Sequence, residues 1–392
     1  MLTLDAARTK ILEDVPRMSS ERLPLEECLG RVLAEDVDAA SALPPFDYSA
    51  MDGYAICTDD HSAPGTIPVV GESRAGGPLL DVLAPRAAAR ILTGAPVPPR
   101  ANAILPQEDV LREGDAITIR ALPTPGRFIR RRGDDLAEGA RALDRGVRLS
   151  PAHLGLLATV DRVAVVVSKR PRVTIVSTGD ELRRPGEPAR PGSIVDGNSF
   201  MLAAMCARAG ADAVRVHVRD DLDATRAAIR AAIESDLVLT VGGVSVGDHD
   251  YVRDALAAEG IELAFWRIAI KPGKPLAFGS RGRARVLGLP GNPAAAFVTF
   301  QLFAAPLLRA MQGDLRPVST QRARLRSAAP GTESRTELAR ARLSGGEVEL
   351  FDNQASGAVT AIAWCDALAV LPANTAAFPA GTVVEVYRVD EM

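Results

Sequence analysis

Cysteine is scarce in this chain of 392 residues, and so is an excess of charge of either sign. The four cysteines, Cys28, Cys57, Cys206 and Cys365, lie far apart and form no Cys-x-x-Cys pair. This spacing argues against a disulfide framework or a zinc site and favours a reducing cytoplasm. The formal net charge is only −3, so the composition gives no reason to expect a nucleic-acid partner.

Long apolar runs are also missing. The segment from Leu2 to Val15 carries charged side chains between apolar positions at Leu4, Ala7 and Ile11. This spacing predicts an amphipathic helix and not a signal peptide. We expect no window with the apolar length that a membrane span requires. The chain is therefore expected to be a soluble, cytoplasmic protein without a membrane partner.

The composition that is present allows large cores, because 47% of the residues are hydrophobic and 24% are charged. The length suits two to four domains. Three different residue patterns follow one another along the sequence, and they predict domains over 1–146, 147–312 and 313–392. In the first, short apolar runs broken by Pro and Gly predict a mixed and β-rich region. Its strand-like run Ile67 to Val70 contains Pro68, so it should be at best an edge strand.

The middle regime alternates apolar strands with helical patterns, which is typical of a doubly wound α/β domain with a parallel sheet. Its predicted strands are Val173 to Val176, Ala213 to Val218, Leu237 to Val241 and Arg285 to Leu289. Ligands bind at the carboxyl ends of such strands, so the following loops should carry the chemistry. From Gly313 onward, short alternating runs predict a small β domain.

The loop after Leu237 to Val241 is the most informative segment. It holds Gly242, Gly243, Ser245, Gly247, Asp248 and Asp250 before a helical pattern resumes. Glycines let backbone N–H groups approach an anion, and the helix N-terminus favours a phosphate there. Asp248 and Asp250 carry oxygen ligands that suit Mg²⁺. The plain alternative is a strand-to-helix turn in which an aspartate caps the helix.

Charged loops follow other strands as well. Asp180 and Glu181 come after Val173 to Val176 and suit Mg²⁺ binding or acid–base catalysis. The alternative is that they cap the N-terminus of a helix. Lys271 and Lys274 each precede a proline in a turn that would place an anion between them; a solvated turn is the alternative. The turn with Pro290, Asn292 and Pro293 has the residues that favour the N-terminus of a helix, and it needs no function to explain it.

One more loop is unusual for a chain in which aromatic residues make up 4%. Phe46, Tyr48 and Tyr54 lie in a Pro-bounded segment together with Asp47 and Asp52. Packing of this loop into the protein interior would explain the segment without any function.

Taken together, these segments resemble the molybdopterin molybdenumtransferase family, which includes the E domain of gephyrin. The matching segments, in the family's order, are Phe46 to Ala55, Thr93 to Pro96, Gly133 to Asp135, Ser177 to Leu182, Gly242 to Gly247, Lys271 to Pro275 and Leu289 to Pro293. The resemblance implies a central molybdopterin-binding α/β domain, N-terminal mixed and β-rich domains, a small C-terminal β-barrel-like domain and a homodimer.

The resemblance also implies a reaction: molybdate is inserted into adenylylated molybdopterin, AMP is released, and Mg²⁺ is required. Its implied catalytic residues are Asp52, Thr93, Asp180, Glu181 and Asp248, of which Asp180, Glu181 and Asp248 would also bind the metal. Substrate binding is implied for Gly242, Gly243, Ser245, Gly247, Asp250, Pro290, Asn292, Pro293 and Asp135, and molybdate binding for Lys271, Lys274, Arg335 and Ser356. Asp52 and Thr93 would reach the active site of the partner subunit. The adenylylating enzyme and molybdoenzyme acceptors are candidate partners.

Two other functions use the same α/β domain. The adenylylating enzyme of the pathway is a single small domain, so the regions 1–146 and 313–392 argue against that activity. A scaffold that retains the fold without catalysis would not need the convergent charges of Asp180, Glu181, Lys271 and Lys274. We therefore expect an enzyme.

Overall fold

The computed structural model describes residues 1–243, 251–314 and 316–389. The chain begins with the helix Leu4–Leu12, which the Thr3 side chain caps. Ala7 and Ile11 on its apolar face are fully buried in the main core. The predicted N-terminal amphipathic helix is confirmed over a shorter range.

The N-terminal region contains a six-stranded sheet in the described part of the chain. In spatial order its strands are Ala103–Pro106, Gly53–Ile56, Ala88–Ile91, Thr66–Ser73, Ala116–Ile119 and Val110–Glu113. The edge position expected for the strand with Pro68 is wrong, because Thr66–Ser73 has a neighbour on each side. Pro68 is tolerated because it pairs only with Ala116, whereas pairing with Ala88–Ile91 begins at Val69.

Short two-stranded pairings complete the N-terminal region. They join Ser20–Pro24 to Ala164–Ser168, Val37–Asp38 to Arg141–Leu143, and Tyr48–Ser49 to Ile129–Arg130. The helix Pro151–Thr159 begins at a capping box formed by Ser150 and His153. Residues 151–168 thus lie against N-terminal strands, and the domain boundaries given above stay a prediction.

Among the described residues, the central sheet has four parallel strands followed by two strands that are added through antiparallel pairings. In spatial order they are Asp212–Val218, Arg172–Thr178, Leu237–Val241, Ala284–Leu289, Ala277–Arg281 and Glu262–Phe265. The four predicted parallel strands are confirmed, and their carboxyl ends meet at one edge. The edge strand Glu262–Phe265 ends before Lys271, and Ile270–Lys271 joins another sheet.

Helices cover both faces of the central sheet, as a doubly wound domain requires. Gly197–Arg208 packs on one face with Pro293–Thr299 and Ala305–Gln312, which a π-helical segment, Phe300–Ala304, joins. Leu222–Ala232 and Tyr251–Ala258 pack on the other face. The predicted doubly wound α/β domain is confirmed.

The helix Pro293–Gln312 has 20 residues and a mean hydropathy of 1.5. By length and composition it therefore passes as a membrane span, so the expectation that no window has this length is wrong here. In the structure 94% of the window is buried, and packing in the protein core accounts for its apolar side chains.

The C-terminal region is a closed barrel of five strands in the described part of the chain. Around the barrel they are Thr336–Ser344, Glu347–Leu350, Gln321–Leu325, Val383–Arg388 and Ala367–Leu371, and the last pairs again with the first. Ala329–Thr332 and Thr375–Phe378 form a separate ribbon, and Val359–Ala363 is a short helix. Ile270–Lys271 pairs in parallel with the barrel strand Thr336–Ser344. The predicted small β-barrel-like domain is confirmed.

Candidate active site

Three loops converge at the carboxyl edge of the central sheet: they follow Arg172–Thr178, Leu237–Val241 and Ala284–Leu289. The second and third loops touch each other. The Gly242 N–H donates to the carbonyl of Leu289 at 3.2 Å, and a β-carbon at Gly291 would lie 3.4 Å from Gly242 Cα. Glycine at both positions lets the two backbones lie this close.

A pocket of about 220 Å³ opens at this edge, and we call it the edge pocket. Its lining is mainly apolar and includes Leu182, Ile194, Val195, Met201, Val241, Gly242, Gly291, Pro293 and Val359. An apolar lining with a few polar groups is typical of a small-molecule site. Val359 belongs to the C-terminal region, so the pocket lies between two regions of the chain.

Polar groups are placed at selected points of the edge pocket. Ser177 is 1% exposed, and its hydroxyl has no hydrogen-bond partner among the described residues. Asn198 holds the third loop in place, since its Nδ2 donates to the carbonyl of Gly291 at 2.6 Å. Asp196 caps the helix Gly197–Arg208 by accepting a hydrogen bond from the Ser199 N–H at 3.0 Å. The Ser177 hydroxyl is therefore a buried polar group in this pocket that is available for a hydrogen bond to a ligand.

A second pocket, of about 600 Å³, lies between the α/β domain and the barrel, and we call it the interdomain pocket. It brings together all four residues for which oxyanion binding was expected: Lys271, Lys274, Arg335 and Ser356. They come from three separate stretches of the chain. Three cationic side chains and a hydroxyl suit a small oxyanion held by charge-assisted hydrogen bonds.

The interdomain pocket also contains carboxylates. Lys271 Nζ donates to Glu337 Oε2 at 3.2 Å, and the Glu337 side chain is 17% exposed whereas that of Lys271 is 56% exposed. The pairing follows from the register, because Lys271 lies directly beside Glu337 in the parallel strand pair. Asp352 lines the same pocket and is exposed.

A buried arginine shapes the loop that carries Ser356. Arg340 is 1% exposed, and its Nη2 donates to the carbonyls of Asn353 at 3.2 Å and Ala355 at 3.1 Å. Gln354 is fixed as well, since its side chain accepts from the Arg340 N–H and donates to the Arg340 carbonyl. Burial lowers the pKa of Arg340. The barrel strand therefore positions the loop around Ser356.

The turn from Leu289 to Pro293 is the wall between the two pockets. Gly291 and Pro293 line the edge pocket, whereas Pro290 and Asn292 line the interdomain pocket. Asn292 holds the N-cap position of Pro293–Thr299, yet its side chain makes no capping hydrogen bond. The cap alone therefore does not explain this asparagine, and its amide is available to a ligand.

Asp180 and Glu181 are exposed at the end of the first loop, and Glu181 lines the edge pocket. The Asp180 N–H donates to Asp220 Oδ2 at 3.2 Å. Among the described residues, no group of three or more His, Cys, Asp or Glu side chains is placed to hold a metal ion. Mg²⁺ needs no such group, because it is commonly bound by one or two carboxylates together with water and substrate phosphates. The two neighbouring carboxylates fit that mode.

Asp52 and Thr93 lie together but away from both pockets. Asp52 Oδ1 accepts hydrogen bonds from the Thr93 N–H at 2.7 Å and from the Thr93 hydroxyl at 2.8 Å. These two hydrogen bonds hold the pKa of Asp52 below its usual range. Both residues are exposed, and so is Asp135. None of the three lines the edge pocket or the interdomain pocket of its own chain.

Four of the residues singled out in the sequence, Ser245, Gly247, Asp248 and Asp250, lie outside the described residues. Gly242 and Gly243 are described and have positive φ angles of 86° and 62°. Ser177, Asn198, Glu337 and Arg340 were not singled out as site residues. Only the strand-end position of Ser177 gave a signal in the sequence, because strand ends at this edge face the ligand side.

Three family models together match most of the chain. They are the MoeA N-terminal region (domain I and II) over residues 2–160, a probable molybdopterin binding domain over residues 174–310, and the MoeA C-terminal region (domain IV) over residues 322–389. Their order follows the regions described above: the N-terminal sheet, the doubly wound domain and the barrel.

Relatives of known name agree with the family models. The chain is 41% identical to a molybdopterin molybdenumtransferase from Haemophilus influenzae, over 80% of this chain and 78% of the relative. It is 37% identical to molybdopterin molybdenumtransferase 2 from Mycobacterium tuberculosis, over 93% and 94%. A solved structure of a molybdopterin biosynthesis MoeA protein from Pyrococcus horikoshii superposes with a TM-score of 0.87 at 28% identity, over 99% of this chain and 100% of that one.

The fold and the site thus define a multidomain enzyme built around a molybdopterin-binding α/β domain. The chain belongs to the molybdopterin molybdenumtransferase family, whose members are transferases, and its role is in molybdenum cofactor biosynthesis.

Proposed function

We propose that this protein inserts molybdate into adenylylated molybdopterin and releases AMP, which yields molybdenum cofactor. Two sulfur atoms of the pterin replace two oxygen atoms of molybdate, and these oxygens leave as two water molecules that take two protons from the dithiol and two from solvent. The bond between the two phosphates of the organic substrate is cleaved by addition of one water. The dithiolene supplies soft ligands to the metal, which is consistent with the absence of clustered cysteines in the sequence.

The shared wall between the pockets is the observation that supports this proposal best. A substrate with a ring system and a metal-accepting end needs an apolar pocket beside an anion pocket. The turn from Leu289 to Pro293 separates two such pockets by the thickness of one peptide segment. One substrate molecule lying across it would place its dithiolene beside the oxyanion.

In this proposal the interdomain pocket holds molybdate. Lys271, Lys274 and Arg335 supply positive charge, and Ser356 supplies a hydroxyl. Positioning and charge neutralisation account for catalysis, without a covalent nucleophile on the protein. Gly242, Gly243 and the loop after them would bind the phosphates, together with Pro290, Asn292 and Pro293.

Asp180 and Glu181 would hold Mg²⁺ together with Asp248, which is not among the described residues. When bound, the ion would neutralise phosphate charge and so help AMP leave. The two carboxylates would also orient water at the phosphates.

The proposal includes a homodimer. Asp52 and Thr93 lie outside the pockets of their own chain, as does Asp135, and would complete the site of the partner subunit. Mixing two inactive variants tests this arrangement. Asp52→Ala and Asp180→Ala, combined in equal amounts and allowed to exchange subunits, should recover about a quarter of wild-type activity, since half the dimers then contain one intact site. No recovery, with exchange demonstrated, would place Asp52 in the site of its own chain or outside catalysis.

The central experiment measures AMP release and cofactor formation from adenylylated molybdopterin, with molybdate and Mg²⁺ added singly and together. We expect both products only when both ions are present. Asp180→Ala should abolish both while the protein stays folded, and Asp81→Ala, at an exposed position that lines neither pocket, serves as the matched control. Tight binding of the adenylylated pterin without any AMP release would refute the proposal and point to a scaffold.

A further inference from the structure

A buried positive charge lies directly behind the interdomain pocket. Arg340 is 1% exposed, and its Nη2 donates to the carbonyls of Asn353 and Ala355, two residues that line the pocket. One loop, residues 353–355, therefore lies between the guanidinium and the pocket. Arginine stays protonated in proteins, so this position carries a full positive charge at neutral pH.

Among the described residues, nothing neutralises this charge directly. The Nε and Nη1 groups of Arg340 are buried and have no hydrogen-bond partner there, and in the same part of the chain no carboxylate lies within ion-pair distance of the guanidinium. Glu337 acts on Arg340 only at longer range, and its carboxylate is already paired with Lys271 at 3.2 Å. Because an uncompensated buried charge is unfavourable, an anion in the adjacent pocket is attracted to Arg340.

The charges around the pocket match a dianion only when Arg340 is included. The lining carries three cations against two carboxylates, a net charge of one positive, from Lys271, Lys274, Arg335, Glu337 and Asp352. Arg340 adds one more, so the total of two positive charges balances a dianion. The charged side chains of the lining are exposed or half-buried, so water and salt screen them, whereas burial protects the charge of Arg340 from this screening.

We propose that Arg340 makes the interdomain pocket selective for doubly charged oxyanions over singly charged oxyanions of the same shape. It acts from behind the loop as a positioning residue, and no bond is made or broken in this role. The inference rests on the proposed function, since it takes molybdate as the ligand of this pocket.

The size of the effect depends on the charge of the ligand. Removing one positive charge at a fixed distance costs a dianion twice the free energy that it costs a monoanion. If the affinity for a tetrahedral monoanion falls by a given factor, the affinity for molybdate should therefore fall by the square of that factor. A loop that is merely displaced loses its contacts with either ligand, so it weakens binding of both by similar factors.

The test compares molybdate with perrhenate, which is a tetrahedral monoanion of similar size. Binding of each sodium salt to the full chain is measured by equilibrium dialysis with metal analysis, at neutral pH and constant ionic strength. The measured quantity is the ratio of the perrhenate to the molybdate dissociation constant. Arg340→Gln, which keeps a donor for the loop carbonyls, should weaken molybdate binding on the order of tenfold and perrhenate binding about threefold, so the ratio falls about threefold.

Two further variants separate the charge from the hydrogen bonds. Arg342→Gln is the matched control, because it removes the same charge from an exposed position on the same strand, and it should leave the ratio unchanged. Arg340→Lys keeps the charge but loses the planar group that reaches two carbonyls at once. Its ratio should stay near the wild-type value even where both affinities fall.

The outcomes separate this inference from the proposed function. If the wild type binds molybdate but the ratio is unchanged in Arg340→Gln, or falls equally in Arg342→Gln or Arg340→Lys, the inference is wrong and the proposed function stands. Where the Arg340 variants do not fold, the wild type supplies the test. Its preference for molybdate over perrhenate should persist at an ionic strength of about 1 M, at which exposed charges are largely screened, and loss of this preference refutes the inference. If the folded wild type binds no molybdate, the assignment of the interdomain pocket fails, and the inference fails with it.

Discussion

Replacing Asp314 with asparagine should destabilise the protein strongly, because this carboxylate neutralises buried cations at a junction of three regions. Its side chain is 0% exposed, and its Oδ2 lies 3.1 Å from Arg148 Nε, 3.4 Å from Arg309 Nε and 2.8 Å from Arg316 Nη2. Arg148 follows the N-terminal strands and also donates to the carbonyl of Gly30 at 2.7 Å. The ion cluster thus ties the N-terminal region to the end of the long core helix.

The magnitude follows from burial and from the pKa. Removing one partner of a buried ion pair costs about 3–5 kcal/mol, since the remaining charge is left uncompensated. Burial alone would raise the pKa of Asp314, but the hydrogen bond from Arg316 and the charge of Arg309 outweigh it and lower the pKa to about 2. Relative to the ordinary value of 3.8, the folded state disfavours protonation. The carboxylate therefore contributes about 2 kcal/mol above pH 4, and this is lost as the pH falls from about 4 to about 2.

Urea unfolding followed by circular dichroism at pH 7 and at a series of lower pH values tests this reasoning. Asp314→Asn should lower the free energy of unfolding by about 3–5 kcal/mol at pH 7, with a smaller difference from wild type near pH 3. Asp144→Asn is the control: it breaks an ion pair with Arg141 in which Asp144 is 75% exposed, so it should cost under about 1 kcal/mol. A change in Asp314→Asn as small as in this control would refute the account.

Three further substitutions probe the pockets. Ser177→Ala should change the free energy of unfolding by less than about 1 kcal/mol, because the hydroxyl has no partner among the described residues, yet raise KM for the organic substrate several-fold; an unchanged KM would remove Ser177 from the site. Gly243→Ala should impair that substrate's binding, because its φ is 62° and a β-carbon would lie 2.4 Å from Val252 Cγ2; wild-type KM with a wild-type melting temperature would contradict this. Arg340→Met should raise KM for molybdate more than for the organic substrate, since Arg340 holds the loop before Ser356; equal changes in both would mean a purely structural role.

Most of the parallel sheet could be predicted because its inner strands are buried on both faces. Leu237–Val241 and Ala284–Leu289 are nearly continuous apolar runs, and no exposed face interrupts them. Turn residues mark where such runs end, so the loops at the carboxyl edge could be located as well. The convergence of Gly242 and Gly291 then follows from parallel pairing.

Pairing between distant segments could not be predicted in this way. The side chains of Lys271 and Glu337 meet because a two-residue strand leaves the α/β domain and pairs with the barrel, and nothing local in either segment indicates this. The burial of Arg340 could not be predicted for a different reason. Residues along a strand commonly alternate between buried and exposed faces, but Leu338, Ala339, Arg340 and Ala341 are all buried, since barrel strand and loop cover both faces. The positions of Arg335 and Ser356 were expected only from the family resemblance.

The wall between the pockets has a thermodynamic consequence. Gly291 and Asn292 are consecutive residues, and each faces a different pocket. A ligand that shifts this peptide unit in one pocket changes the shape offered to the second ligand. The resulting coupling free energy is reciprocal, so the factor by which the oxyanion alters affinity for the ring compound equals the factor in the opposite direction. The order in which the two substrates bind therefore leaves the stability of the ternary complex unchanged and affects only the rate at which it assembles.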